Sequence, residues 1–506
     1  MNTQQMGCCP HVTRRSFLGG VGAAIGGSTL RLPSWPVLAR ETEGFSATAR
    51  APLTVKPILI YETPQRRSQA SWRNWGGIQT EEQASQEATR IQEELKRLQQ
   101  SADFPLTLLS VASIKDDAGL DRQAEDLAKA QAVLVYGAGG PKRLYDRIGT
   151  CGKDVIIFVR HKSGPVYLWY EIISPRYLRQ HTDELSTPRV DFDDIVVDSP
   201  DELLWRLRAL CGLHNSRGSR IIAIGGPSAW AQPEGLVPDL VRKLWKLDFE
   251  TVSYDDLGKL IEDARSDQAT VVRAGKRSED YLRLPGTKLE TQAEFVHNAF
   301  LLEEVFRTLL DRMNARAITV NSCMGTIMPV SRTTACLTLS LLNDAGYLAF
   351  CESDFVVIPS GLLLGNISGK PVFLNDPTYP HDGLITLAHC TAPRKNDGRS
   401  LDPARIMTHF ESDYGAAPKV EMKIGQVVTN IIPDFRSERW VGFIGTVVDN
   451  PNMDICRSQI DVRFSCDSGL VARNMPGFHW MTCYGDYMRE LGYALKKIPI
   501  KWERLA

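Results

Sequence analysis

The sequence predicts an α/β protein with two doubly wound parallel-sheet domains, a small antiparallel β-domain and a C-terminal helix. Short apolar runs alternate with amphipathic stretches through residues 52–392, which is typical of strands and helices in a parallel sheet. After residue 395 the runs become short and partly alternating, with Gly, Asn and Pro between them, which indicates antiparallel strands. We therefore expect domains at residues 52–195, 196–392 and 393–506.

The first domain begins with a predicted strand at residues 58–61, because four consecutive large apolar side chains suit a strand that is covered on both faces. Apolar residues then recur at helical spacing from Ala84 to Leu98, which predicts an amphipathic helix. The same alternation predicts the remaining elements of this domain: strands at 106–111, 132–136 and 155–159, and a helix over 120–130.

The second domain carries the residues of greatest chemical interest. Its predicted elements are a helix over 201–213, a strand at 220–224, a helix over 291–313, a strand at 317–320 and a helix over 334–343. Three further apolar runs end at Glu352, Asp376 and His389, and we interpret them as strands of the same domain. Strands of an open α/β sheet deliver polar residues at their ends, so we expect a reaction centre there.

The β-domain is predicted from short runs at residues 419–422, 426–431, 441–448 and 459–464. A helical pattern over 484–497 closes the chain.

The charge balance argues against a polyanionic partner. The 506 residues include 59 basic and 60 acidic side chains, a formal net charge of -1. We therefore expect no nucleic-acid partner, and a neutral polar ligand is the simpler expectation.

The N-terminus resembles a twin-arginine export signal over residues 1–40. Arg14 and Arg15 precede a weakly apolar, Gly-rich stretch, and residues 37–39 offer a cleavage point. The alternative is a chance arginine pair before an apolar anchor helix. We expect export by the twin-arginine route to the periplasm or another extracytoplasmic site, with no membrane span after the signal is removed.

The cysteines do not predict a disulfide framework. Of the 11 cysteines, Cys8 and Cys9 fall in the signal, which leaves an odd number without any C-x-x-C pair. Cys351 and Cys390 are neighbours of the candidate site residues, and we interpret both as small buried core residues.

Two carboxylates and two imidazoles form the candidate site. Glu352, Asp376 and His389 are joined by His479, which lies in a Gly-Phe-His-Trp run far down the chain. Any one of them alone would suit a cap, an ion pair or a core histidine. Together they suit a divalent cation such as Mn²⁺, which accepts oxygen and imidazole ligands. His409 is a further candidate for contacting a substrate.

Several short motifs resemble the L-fucose isomerase and L-arabinose isomerase superfamily. They are LSLLNDAG at 339–346, AFCESD at 349–354, FLNDP at 373–377, His389-Cys390, and GFHW at 477–480. The resemblance implies that Glu352, Asp376 and His479 are metal ligands and that His389 is the additional histidine of the arabinose-type site. It also implies two Rossmann-like domains, a β-domain, and active sites completed between subunits of a homo-oligomer. Ser353 departs from the family pattern, which often has Gly, and export is unusual for the family.

These observations predict a metal-dependent aldose-ketose isomerase that acts through an ene-diol on a pentose or deoxyhexose, with Glu352 and Asp376 as acid-base groups. One alternative is an exported, non-catalytic carbohydrate-binding protein. In it, Trp72, Trp75 and Trp230 would stack on sugar faces, although packing in loops and the core is the simpler interpretation of these side chains. The other alternative is a metal-dependent lyase or hydrolase that uses the same ligands.

Overall fold

The computed structural model describes residues 50–167, 190–231 and 233–505. The predicted export signal over 1–40 lies outside these residues. Within them the protein is a mixed α/β structure with two parallel sheets and a larger antiparallel sheet. In this described part of the chain, no helix has the length and apolar character needed to cross a membrane.

The first parallel sheet has the strand order β2-β1-β4-β5-β6, with β3 also paired to β1. Its region contains β1 (Leu53–Ile60), α1 (Glu81–Ser101), β2 (Leu106–Leu108), β3 (Ala112–Ile114), α2 (Asp117–Asp121), α3 (Ala124–Lys129), β4 (Ala132–Gly137), α4 (Lys142–Gly149), β5 (Asp154–Val159), a 3-10 turn (Phe192–Asp194) and β6 (Ile195–Val197). Thr80 caps the N-terminus of helix α1 and forms a capping box with Gln83. The helix buries Ile91, Leu95 and Leu98, as the periodicity predicts.

The second parallel sheet has the strand order β11-β10-β7-β8. Its region contains α5 (Pro200–Ser216), β7 (Arg220–Ile224), α6 (Leu236–Trp245), β8 (Asp248–Val252), α7 (Tyr254–Ser266), α8 (Gln268–Leu282), β9 (Thr287–Leu289), α9 (Ala293–Arg312), β10 (Ala317–Val320), α10 (Cys323–Ser331), α11 (Ala335–Asp344), β11 (Leu348–Cys351) and α12 (Ile358–Ser368). The predicted strands at 220–224 and 317–320 coincide with β7 and β10.

The third large sheet has the order β16-β19-β12-β13-β18-β17-β20. Its first six strands pair antiparallel and close into a ring, because β16 also pairs with β17, whereas β20 pairs parallel with β17 outside the ring. The C-terminal elements are β12 (Phe373–Pro377), β13 (Leu384–His389), β14 (Ala404–His409), β15 (Tyr414–Val420), β16 (Val427–Pro433), β17 (Arg439–Asp449), β18 (Ser458–Arg463), α13 (Ser468–Arg473), β19 (Trp480–Tyr484), α14 (Met488–Lys496) and β20 (Lys501–Arg504). Strands β15, β14 and β9 form a separate three-stranded sheet.

The strands that carry Asp376 and His389 correct one prediction. They were expected in the second parallel sheet, but β12 pairs antiparallel with β19 and β13, and β13 pairs antiparallel with β18. The short connection over residues 378–383 allows only a hairpin, because a parallel pair needs a crossover of about a dozen residues or more. The closing helix also begins later than predicted, at Met488 and not at Tyr484, because Tyr484 ends the buried strand β19.

Candidate metal centre

The structure brings Glu352, Asp376, His389 and His479 together where the second parallel sheet meets the antiparallel ring. Nε2 of His479 lies 3.1 Å from Oδ1 of Asp376 and 3.4 Å from Oε2 of Glu352. Nε2 of His389 lies 3.7 Å from Oε1 of Glu352. Both imidazoles are buried. The ligand atoms of Glu352, His389 and His479, one from each residue, lie within 4.8 Å of one another.

Strand register explains why residues so distant in sequence meet. Asn375 of β12 pairs with Trp480 of β19, so Asp376 and His479 occupy neighbouring positions at the end of this strand pair. His389 ends β13, the other neighbour of β12. Asp376 and His389 therefore lie on adjacent strands of one sheet, and His479 directly precedes β19 on the other side of β12.

Glu352 reaches the site through a strained turn. Directly after β11, Glu352 and Ser353 have φ angles of 65° and 46°, in the left-handed region that non-glycine residues rarely adopt. Each such residue costs about 1–3 kcal/mol, and such strain clusters at functional sites. The backbone N–H of Ser353 donates to Thr319 Oγ1 at 3.1 Å, and the backbone N–H of Ser228 donates to the Ser353 carbonyl at 3.2 Å. These bonds hold the turn.

Asp354, which the sequence reasoning missed, orients His479. Its Oδ2 accepts a hydrogen bond from Nδ1 of His479 at 2.7 Å, and its Oδ1 accepts the backbone N–H groups of Trp230 and Val356, both at 3.1 Å. Asp354 is only 1% exposed. A carboxylate on one ring nitrogen of a histidine fixes the tautomer and aims the other nitrogen at a metal. The sequence signal that could have identified Asp354 is its position two residues after Glu352, which directly follows strand β11.

The electrostatics of His479 are dominated by its carboxylate neighbours. Burial alone would lower its pKa, but the hydrogen bond to Asp354 and the Asp376 and Glu352 carboxylates raise the pKa well above the usual value. The carboxylates around His479 therefore favour a positive charge at this site.

The donor atoms fit a divalent cation. Oδ1 of Asp376 and the Nε2 atoms of His389 and His479 are buried, and among the described residues none of the three has a hydrogen-bond partner with suitable geometry. Buried polar atoms without partners are costly, and a cation among them would satisfy all three. Nδ1 of His389 is meanwhile held by Thr391 Oγ1 at 3.0 Å. The oxygen and imidazole donors suit Mn²⁺ or a similar ion.

Two aromatic side chains border the site on its exposed side. The rings of Trp230 and Phe478 stack with centroids 5.5 Å apart, and the centroids of the Trp230 and His479 rings lie 6.0 Å apart in a T-shaped arrangement. The two residues are 37% and 49% exposed. The sequence alone favours a packing role for Trp230, but the structure places it beside His479. Trp72 and Trp75 lie in the segment before α1.

The remaining predicted residues lie elsewhere. His409 ends β14 and groups with Cys336 and Cys390 rather than with the four residues above. Its role as a substrate contact stays a prediction. Cys351 and Cys390 are both buried, as expected of core residues.

No family model matches this chain, and no curated protein is significantly similar to it. The resemblance to sugar isomerases therefore rests on the short motifs alone.

Proposed function

We propose that this chain is a metal-dependent aldose-ketose isomerase that acts through an ene-diol on a pentose or deoxyhexose. The observation that carries the proposal is the meeting of two carboxylates and two imidazoles, with donor atoms of Asp376, His389 and His479 buried and unsatisfied among the described residues. Together with Glu352, these residues would hold Mn²⁺ or another divalent cation. The choice of isomerisation over other metal-assisted reactions rests on the motif resemblance.

The side chains can supply the proton transfer that the reaction needs. Isomerisation moves a proton between C1 and C2 of the sugar, next to a carbonyl. A bound divalent ion supplies Lewis acidity, which stabilises the negative charge that develops on the sugar oxygens. The Glu352 and Asp376 side chains are 18% and 21% exposed, so they lie between the buried imidazoles and solvent. Either can accept and return the substrate proton, which is worth about 10²- to 10⁴-fold in rate.

The aromatic pair supports a carbohydrate as the ligand. Trp230 and Phe478 present partly exposed rings beside His479. Aromatic faces bury the apolar C–H face of a sugar, while metal ligands and carboxylates meet its hydroxyl groups.

The finer architecture belongs to the same proposal. The two parallel sheets would be Rossmann-like domains, and the ring, including residues 373–389, would be the β-domain. We also propose a homo-oligomer with active sites completed between subunits, and export through the predicted twin-arginine signal.

Hydrogen exchange at C2 tests the proposal directly. The Mn²⁺-loaded protein should incorporate ²H at C2 of one sugar from a panel of pentoses and deoxyhexoses in ²H₂O, and should form the matching ketose. Chelation should stop exchange and added Mn²⁺ should restore it. Glu352→Gln and Asp376→Asn should each abolish exchange with unfolding temperatures near that of the parent, whereas Glu421→Gln, outside the site, should retain it.

Other outcomes would contradict the isomerase assignment. Sugar binding without exchange would favour a carbohydrate-binding protein, and cleavage products would favour a lyase or hydrolase. Turnover retained in both carboxylate variants would remove these residues from the mechanism.

A further inference from the structure

A second cluster of metal-type donors lies outside the carboxylate site. Cys336 in the first turn of α11, Cys390 directly after β13 and His409 at the end of β14 are all buried, and one donor atom from each lies within 4.8 Å of the others. Cys456, from the loop before β18, packs against Cys336 and Cys390. We call these four residues the thiol cluster.

The thiol cluster is chemically distinct from the carboxylate site, although the two share one stretch of chain. His389 groups with Glu352 and His479, whereas the next residue, Cys390, groups with Cys336 and His409. The first set offers mostly oxygen and nitrogen, which suit a hard or borderline ion. Three thiols with an imidazole suit a thiophilic ion.

Hydrogen bonds around the thiol cluster already hold its members in place. The backbone N–H of Arg457 donates to the Cys390 sulfur, and Nε of Arg457 donates to the Thr408 carbonyl at 2.7 Å. The Arg457 side chain therefore ties the loop of Cys456 to the strand of His409. Nδ1 of His409 lies 3.0 Å from Ser412 Oγ, and this contact helps to hold the imidazole in place.

We propose that Cys336, Cys390, His409 and Cys456 bind one thiophilic divalent ion of the Zn²⁺ class, independently of the carboxylate site. In a tetrahedral site with Zn–S bonds of about 2.3 Å, neighbouring sulfurs lie about 3.8 Å apart. The donor atoms of Cys336, Cys390 and His409 lie within 4.8 Å of one another, so the two sulfurs would approach each other by no more than about 1 Å on binding the ion.

Metal binding replaces protons on the sulfurs. Each coordinated thiol releases one proton as its S–metal bond forms. The bound ion would join α11, the end of β13, the end of β14 and the loop before β18.

Cobalt spectroscopy of the reduced full-length protein tests the site. One equivalent of Co²⁺ should produce a thiolate-to-cobalt charge-transfer band and the intense visible bands of tetrahedral coordination, and Zn²⁺ should abolish both. Cys390→Ser should lose the charge-transfer band. Cys211→Ser, a buried cysteine outside the cluster, should retain it.

The test separates this site from the proposed isomerase centre, because Glu352→Gln should retain the cobalt bands. Absence of a charge-transfer band in the native reduced protein would overturn the proposal whatever the variants do. A Cys336–Cys390 disulfide in zinc-free isolated protein would overturn it too. Zn²⁺ that protects these cysteines, but not Cys211, from a thiol reagent would support it.

Discussion

Replacing Asp354 with asparagine should weaken metal binding at the carboxylate site about 10- to 100-fold without unfolding the protein. Oδ1 of Asp354 accepts both backbone N–H groups, and an asparagine carbonyl can keep those two bonds. Oδ2 faces Nδ1 of His479 at 2.7 Å, and the substitution places an NH₂ group there. The NH₂ group donates, so Nδ1 must accept and the ring proton moves to Nε2.

That tautomer change is the source of the expected loss. A protonated Nε2 can donate to Asp376, 3.1 Å away, but it cannot bind a metal. A 10- to 100-fold rise in Kd corresponds to about 1.4–2.8 kcal/mol. Titration with Mn²⁺, followed by the electron paramagnetic resonance signal of the free ion, measures Kd directly.

Asp344→Asn is the matched control. Oδ1 of Asp344 also accepts two backbone N–H groups, both at 2.8 Å, but their donors, Arg394 and Lys395, are not residues of the metal site. Its Mn²⁺ affinity should equal that of the parent. Unchanged affinity in Asp354→Asn, or an equal loss in both variants, would refute the orienting role of Asp354.

Three further predictions address other parts of the protein. Burial raises the pKa of Asp344 to about 7. The folded state therefore binds this proton more tightly than the unfolded chain does. The protonated carboxyl stabilises the folded state fully below pH ~4, and this contribution is lost as the pH rises towards 7. Asp344→Asn should thus gain about 3 kcal/mol in unfolding free energy relative to the parent between pH 5 and pH 8, measured by urea denaturation; a constant difference would contradict this. Trp230→Ala should raise KM for the sugar about fivefold, a loss of about 1 kcal/mol in binding free energy, while Trp75→Ala leaves KM unchanged. Equal effects of the two substitutions would contradict a sugar-binding role for Trp230. In the double variant Arg14→Lys and Arg15→Lys, cell fractionation should find unprocessed protein in the cytoplasm. Normal export of this variant would contradict the twin-arginine prediction.

The alternating strands and helices of the two parallel sheets could be predicted because each element carries its own burial pattern. Strand β10 and helix α9 are covered on nearly every side, and their apolar runs show it. The four site residues could be proposed because each follows or ends such a run. Their roles remain predictions, but their proximity is a property of the structure.

The pairing of β12 and β13 could not be predicted from local pattern, because a buried strand reads the same in a parallel sheet and in a closed antiparallel ring. The sequence did not predict strand β19 for a related reason, since only three residues separate its five buried residues from helix α14. In both cases the partner strand, which is distant in sequence, decides the outcome.

By itself, the sequence determined the alternation of elements, the near-neutral charge and the choice of carboxylates and imidazoles as candidate site residues. These features depend only on composition and on the local pattern of residues along the chain. Tertiary structure alone decided which donors share a site. It placed Asp354 behind His479, set Trp230 against Phe478, and directed His389 and Cys390 to different clusters. The physical reason is that hydrogen bonding and coordination act over about 2–3 Å in space. Such distances between residues far apart along the chain are created only when the sheets assemble.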